Sequence, residues 1–160
     1  MLKAISNASP LLYLHRIQAL DLFPGVFGTI LTTPEVSREL LEGRQRGYEC
    51  PDISRLDWIE VVKAPTSSEW LALDIGLGEI SVMTLAFDRP GHIILLDDML
   101  ARRIATAAGL RVWGTLKIIL EAKSLGLIDR AGPLISQLTD AGMWISPQIK
   151  HRILRLANEE

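Results

Sequence analysis

Short apolar runs alternate along the chain with longer segments in which apolar positions recur every three or four residues. That alternation predicts βα units around a mostly parallel sheet. The first run, Leu2 to Ile5, leads into Ser-Asn-Ala-Ser-Pro, where Ser9 is placed to cap a helix and Pro10 to fill its first turn, with Leu11, Leu14 and Ile17 on one face. Thr29 to Thr32 predicts a second strand. Thr33 and Pro34 then open a helix with Val36 and Leu40 inward, closed by Gly43 and Gly47. Trp58 to Lys63 has the β-branched content of a short strand near an edge. A helical period follows from Gly78 to Phe87, and the unbroken apolar run Ile93 to Leu96 is that of a central strand covered on both faces. A helix from Met99 to Ala108 stops at Gly109, a strand spans Arg111 to Trp113, and Thr115 caps a helix through Lys123. Segments near Leu134 to Ala141 and Pro147 to Ala157 close the pattern. No repeat or linker interrupts it, so a single domain over residues 1–160 is expected.

Composition narrows the partners. With 160 residues, 48% of them hydrophobic, the chain can bury one sizeable core. Its net charge of −2 supplies no general basic field, so nucleic acid would need a local patch. The single cysteine, Cys50, excludes an internal disulfide and has no nearby ligands at zinc spacing, which fits a reducing compartment. The opening residues lack the basic and long apolar regions of a signal peptide, and no run reaches the roughly 20 apolar residues that span a bilayer. A soluble, cytoplasmic protein is expected, its four tryptophans in core or interface.

In an open parallel sheet, ligands bind beyond the carboxyl ends of the strands, and polar residues collect there. Asn7 follows the first strand, Asp97 and Asp98 the strongest apolar strand, and Thr115 the next, while Glu39 and Glu79 lie on intervening helices. Carboxylates facing one pocket repel each other unless a cation joins them, and an all-oxygen set selects Mg²⁺ or Mn²⁺ over zinc. Such a pocket suits phosphoryl transfer. Each residue has a plainer role open to it. Asp97, Asp98 and Glu79 could serve only the positive ends of helices, Glu39 could belong to a solvated row with Glu35 and Glu42, Asn7 could hold a turn, and Thr115 could be a cap alone.

Five strings in order, SNASPLLYL, TTPEVSRELLEG, GLGEISVMTLAF, IILLDDMLARRIATAAGL and WGT, resemble the PIN-like domains, in particular a prokaryotic branch related to toxin and antitoxin ribonucleases. The tail GMWISPQIKHRIL is similar to that branch's ending. The resemblance implies a three-layer α/β/α sandwich with a mostly parallel sheet, and a metal-dependent endoribonuclease ancestry, often as the toxin of a toxin and antitoxin pair. Carried across, the family's first acid falls on Asn7, its helix glutamate on Glu39, its third acid on Glu79 and its last on Asp98 beside Asp97, with Ser9 as the small hydroxyl residue of the first motif. Two positions depart from the pattern. Asn7 stands where an aspartate is expected, and Ser81 where the branch commonly has a second acid.

The leading expectation is therefore an Mg²⁺ or Mn²⁺ dependent endoribonuclease in which Glu39, Glu79, Asp97 and Asp98 hold the metal, Asn7 adds a neutral ligand, and metal-bound water attacks an RNA phosphodiester. Glu39, Glu79 and Asp98 would be the catalytic set. Single-stranded RNA would meet Ser9, Arg102, Arg103, Thr115 and Lys117. The alternative, motivated by Asn7 and Ser81, is a weak or inactive module that binds RNA or a protein partner. An antitoxin is implied by resemblance, and the apolar line Ile149, Ile153 and Leu156 on the last helix raises a homodimer as a third reading.

Overall fold

A computed structural model describes residues 1–65 and 74–160. Five short strands, β1 (Ala4–Ser6), β2 (Ile30–Thr32), β3 (Ile59–Val61), β4 (Ile93–Leu95) and β5 (Val112–Trp113), form one sheet in the order β3-β2-β1-β4-β5. Every pairing is parallel, with Ile5 opposite Leu31 on one side and Ile94 on the other. Eight helices accompany them: α1 (Ala8–Arg16), α2 (Leu22–Phe27), α3 (Pro34–Gln45), α4 (Leu77–Asp88), α5 (Met99–Ala107), α6 (Thr115–Ser124), α7 (Gly132–Asp140) and α8 (Pro147–Leu156). This is the α/β/α sandwich that the resemblance implied, on the parallel sheet that the alternating pattern predicted, since parallel strands need crossovers that cover both faces. The strand Ile93–Leu95 is internal and fully buried, and the one near Trp58 is an edge strand, both as its residues predicted.

Three local expectations are corrected. Asn7, not Ser9, is the residue before α1, so Ser9 lies inside the first turn with its hydroxyl free for other work. Gly114 rather than Thr115 precedes α6, and Thr115 is its first residue. Gly43 lies within α3, where a Cβ would come 2.6 Å from the Cys50 sulfur; the helix is closed beyond it by Gly47 at φ +86°. Helix α2 had no counterpart among the elements read from the sequence; in it the bare Gly25 lets Leu127 approach where a Cβ would stand 2.7 Å from its methyl carbon.

The core runs from Ala4 to Ala157 and draws on β1, β2, β4 and β5, with Ile59 of β3 packed against it. Trp58 stacks on Phe23 with ring centroids 5.3 Å apart, and Trp113 is buried against Phe27, whereas Trp144 is 85% exposed; Trp70 lies outside the described residues. Among the described residues no helix is long and apolar enough to cross a membrane.

Candidate metal centre and substrate edge

The carboxyl ends of the strands bring the polar residues of distant segments to one edge. The Asn7 N–H donates to the Leu95 carbonyl at 3.0 Å, extending the β1–β4 ladder by one bond and fixing Asn7 between the two strands. The backbone there is extended, at φ −76° and ψ 176°, as it should be before a helix. An asparagine in this position normally turns its side chain onto the helix N–H groups, but Asn7 makes no such bond. It is 3% exposed, and its Oδ1 is buried without a hydrogen-bond partner. An unmet carbonyl oxygen in the interior costs on the order of 1–3 kcal/mol.

That oxygen faces Glu39 across a glycine. A Cβ built on Gly78, in the first turn of α4, would lie 3.2 Å from Asn7 Oδ1 and 3.6 Å from Glu39 Oε2. The missing side chain leaves the amide and the carboxylate a shared space. Helices α3 and α4 are held together beside it by hydroxyls: Thr33 and Ser81 are 2.6 Å apart, and Ser81 donates to the Gly78 carbonyl at 2.7 Å. Sequence reasoning treated Ser81 only as a missing acid and gave Gly78 no role; the signal for both lay in the spacing of Gly78 and Ser81, one helical turn apart. The carboxyl of Glu39 is held above its ordinary value by desolvation first, then by repulsion from Glu79 and Glu42. Glu79 therefore lies close enough to Glu39 to be felt, and its own carboxylate folds back against Gly76, at the start of α4.

Asp97 and Asp98 diverge from this pair in what they do. Asp97 accepts from the Ser9 hydroxyl at 2.8 Å, the Thr115 N–H at 2.8 Å and the Thr115 hydroxyl at 2.7 Å. One carboxylate thus joins the end of β4 to the first turns of α1 and α6. Asp98 is exposed and turns onto the start of α5, accepting from the Ala101 N–H at 2.9 Å. Among the described residues no three His, Cys, Asp or Glu side chains form a ready metal-holding group.

The basic residues also separate. Arg102 is half-buried, donates to the Leu96 carbonyl at 3.4 Å and lies directly over Gly114, where a Cβ would collide with its guanidinium. Arg103 and Lys117 are exposed, the Lys117 ammonium 5.2 Å from the Trp113 ring centroid.

A family model for the PIN domain, DUF3368, matches residues 3–159 of this architecture. The chain belongs to the PIN domain family. It carries a nuclease-type fold, and PIN domains typically use divalent metals. No curated protein matches the chain. The donor chemistry of this PIN domain fits a hard divalent cation at one point, where a buried, unpartnered amide oxygen and a carboxylate whose pKa is raised by burial and by acidic neighbours face one space.

Proposed function

We propose that this PIN domain is a divalent-cation-dependent endoribonuclease whose cation is held by Asn7, Glu39 and Glu79. The observation that carries the reading is the orphaned Asn7 Oδ1, a buried amide oxygen left open beside the Glu39 carboxylate. When bound, Mg²⁺ or Mn²⁺ would lower the pKa of a water and offset charge developing on the phosphodiester. The rest falls to the protein. Glu39 and Glu79 supply the negative charge, Asn7 an oxygen without charge, and Gly78 the room between them. Asp97 keeps Ser9 and Thr115 in place at the edge, and Asp98 fixes the start of α5, so both acids act on the frame of the site. Arg103 and Lys117 are the exposed cations through which a single-stranded RNA backbone would be held, with Arg102 steadying the loop between them. Such an enzyme suits the cytoplasm, where its one free thiol stays reduced and RNA is at hand, and the same reading extends to the toxin of a toxin and antitoxin pair.

A specific feature favours a second reading, a module that binds RNA without cutting: the amide of Asn7 replaces a carboxylate, and Asp97 is already saturated by three protein donors. Incubating a mixed RNA pool with Mn²⁺, with EDTA and with Glu39→Gln separates the two. Cleavage that needs Mn²⁺ and disappears in Glu39→Gln is the expected result, and Asn7→Asp should raise it. RNA binding without cleavage, unchanged in Asn7→Asp, would transfer the chain to the second reading.

A further inference from the structure

We propose that the outer edge of α8, with Trp144 before it, is a docking surface for an acidic amphipathic segment of a partner protein. None of the ten residues of α8 is fully buried, although Ile153 and Leu154 pack partly on the core. Ile149, Ile153 and Leu156 share one side of the helix at its natural period. The middle member is covered and the two ends are not, Ile149 being 45% and Leu156 64% exposed. Trp144, two residues before the capping Ser146, adds a large aromatic surface that is 85% exposed among the described residues. Exposed apolar groups gathered at one place mark an interaction site, and tryptophan is among the strongest anchors of such sites.

Charge selects the occupant. Lys150, Arg152 and Arg155 are exposed on the same helix, and among the described residues none of them has an acidic partner within ion-pair distance. A chain of net charge −2 thus presents local cations on both flanks of the apolar line, Lys150 on one side and Arg152 and Arg155 on the other. A second copy fits poorly, because its α8 would bring further cations and no acid to meet those already there. A bare RNA strand would answer the cations and leave the aliphatic ends unmatched. A helix with leucines three or four residues apart and glutamates at their flanks answers both. The surface is separate from the metal centre and does not depend on the nuclease reading.

The probes are a synthetic helical peptide with Leu at that spacing and Glu flanks, the same peptide with Lys flanks, and an oligouridine. With the full chain, the Glu peptide should bind at about micromolar strength and shift Trp144 fluorescence. Trp144→Ala or the pair Ile149→Ser and Leu156→Ser should weaken it by about tenfold or more. The pair Arg152→Glu and Arg155→Glu should weaken it by about tenfold and flatten its salt dependence. All five residues are either exposed or half-exposed, so circular dichroism should be unchanged. Equal affinity for both peptides, or for neither, would overturn the proposal. So would oligouridine binding lost in the Arg152→Glu, Arg155→Glu chain without peptide binding, or a sedimenting dimer dispersed by Ile149→Ser.

Discussion

Glu39 and Glu159 are the same side chain in opposite circumstances. Glu159 is the more deeply covered, its side chain 5% exposed, yet its pKa is lowered to about 2. The first cause is the hydrogen bond from Lys123, at 2.8 Å, which outweighs the desolvation opposing it; the Ala131 and Gly132 N–H groups, at 2.7 and 2.9 Å, add to it. Lys123 also donates to the Ala157 carbonyl, so one ammonium ties the tail to α6. Glu39 keeps its solvent access and is nevertheless pushed the other way, first by the partial desolvation of its carboxyl and then by repulsion from Glu79 and Glu42. Desolvation opposes the charge on both acids; what reverses the sign at Glu159 is its supply of donors. The tail acid is met by donors within the chain, whereas the acid by Gly78 has acids for its charged neighbours.

The sharpest way to break this contrast is at the tail. Glu159→Ala should cost about 3 kcal/mol in urea unfolding at neutral pH, because it strands a half-buried ammonium and two N–H groups. A carboxylate whose folded pKa lies below its ordinary 4.5 contributes stability above that value and loses it as pH falls toward about 2. The parent should therefore weaken across that window more steeply than Glu159→Ala, and parallel curves would show that the acid is not what holds the tail. Asn7→Asp should come next, costing about 2 kcal/mol in EDTA by burying an unpaired charge, with the loss reversed by Mn²⁺ in thermal unfolding. A third test touches the joint between α3 and α4. Ser81→Ala should cost about 1 kcal/mol, since the Thr33 hydroxyl loses its partner.

The smallest effect is expected at the site acid. Glu39→Gln should leave stability unchanged or raise it by about 0.5 kcal/mol in EDTA while removing activity. The sign follows from the raised pKa: the charged form is disfavoured in the fold, so the penalty holds above the folded pKa and is relieved as pH falls through it. In Glu39→Gln that relief in mild acid should vanish. A clear loss of stability in metal-free buffer would instead mean that the carboxylate already has a partner.

Much of the frame was legible because it depends on period and burial. The unbroken run from Ile93 and the cap at Thr33 fixed their elements within a residue or so. Strand order was not legible, since β1 pairs with β4 across most of the chain and nothing local encodes that choice. The site was legible as a set of residue types and less so as a set of tasks. Asp97 and Asp98 are adjacent and chemically identical in the sequence, yet alternate backbone directions send one to Ser9 and Thr115 and the other to the Ala101 N–H. Gly78 was silent for a simpler reason: its contribution is a volume left empty.

The place of β1 in the middle of the sheet also orders events during synthesis. An N-terminal strand at an edge could dock once and be finished, but β1 needs β2 on one side and β4 on the other, and β4 is made only after α4. Until then Asn7 has no Leu95 carbonyl to anchor it and Ser9 has no Asp97. Long-range parallel pairing of this kind is slow to form, and domains emerge N-terminus first at about 5–20 residues per second. The nascent chain should thus pass through a stage in which half the sheet exists and the edge that carries Asn7 and Asp97 does not, with assembly of that edge postponed until β4 has been translated.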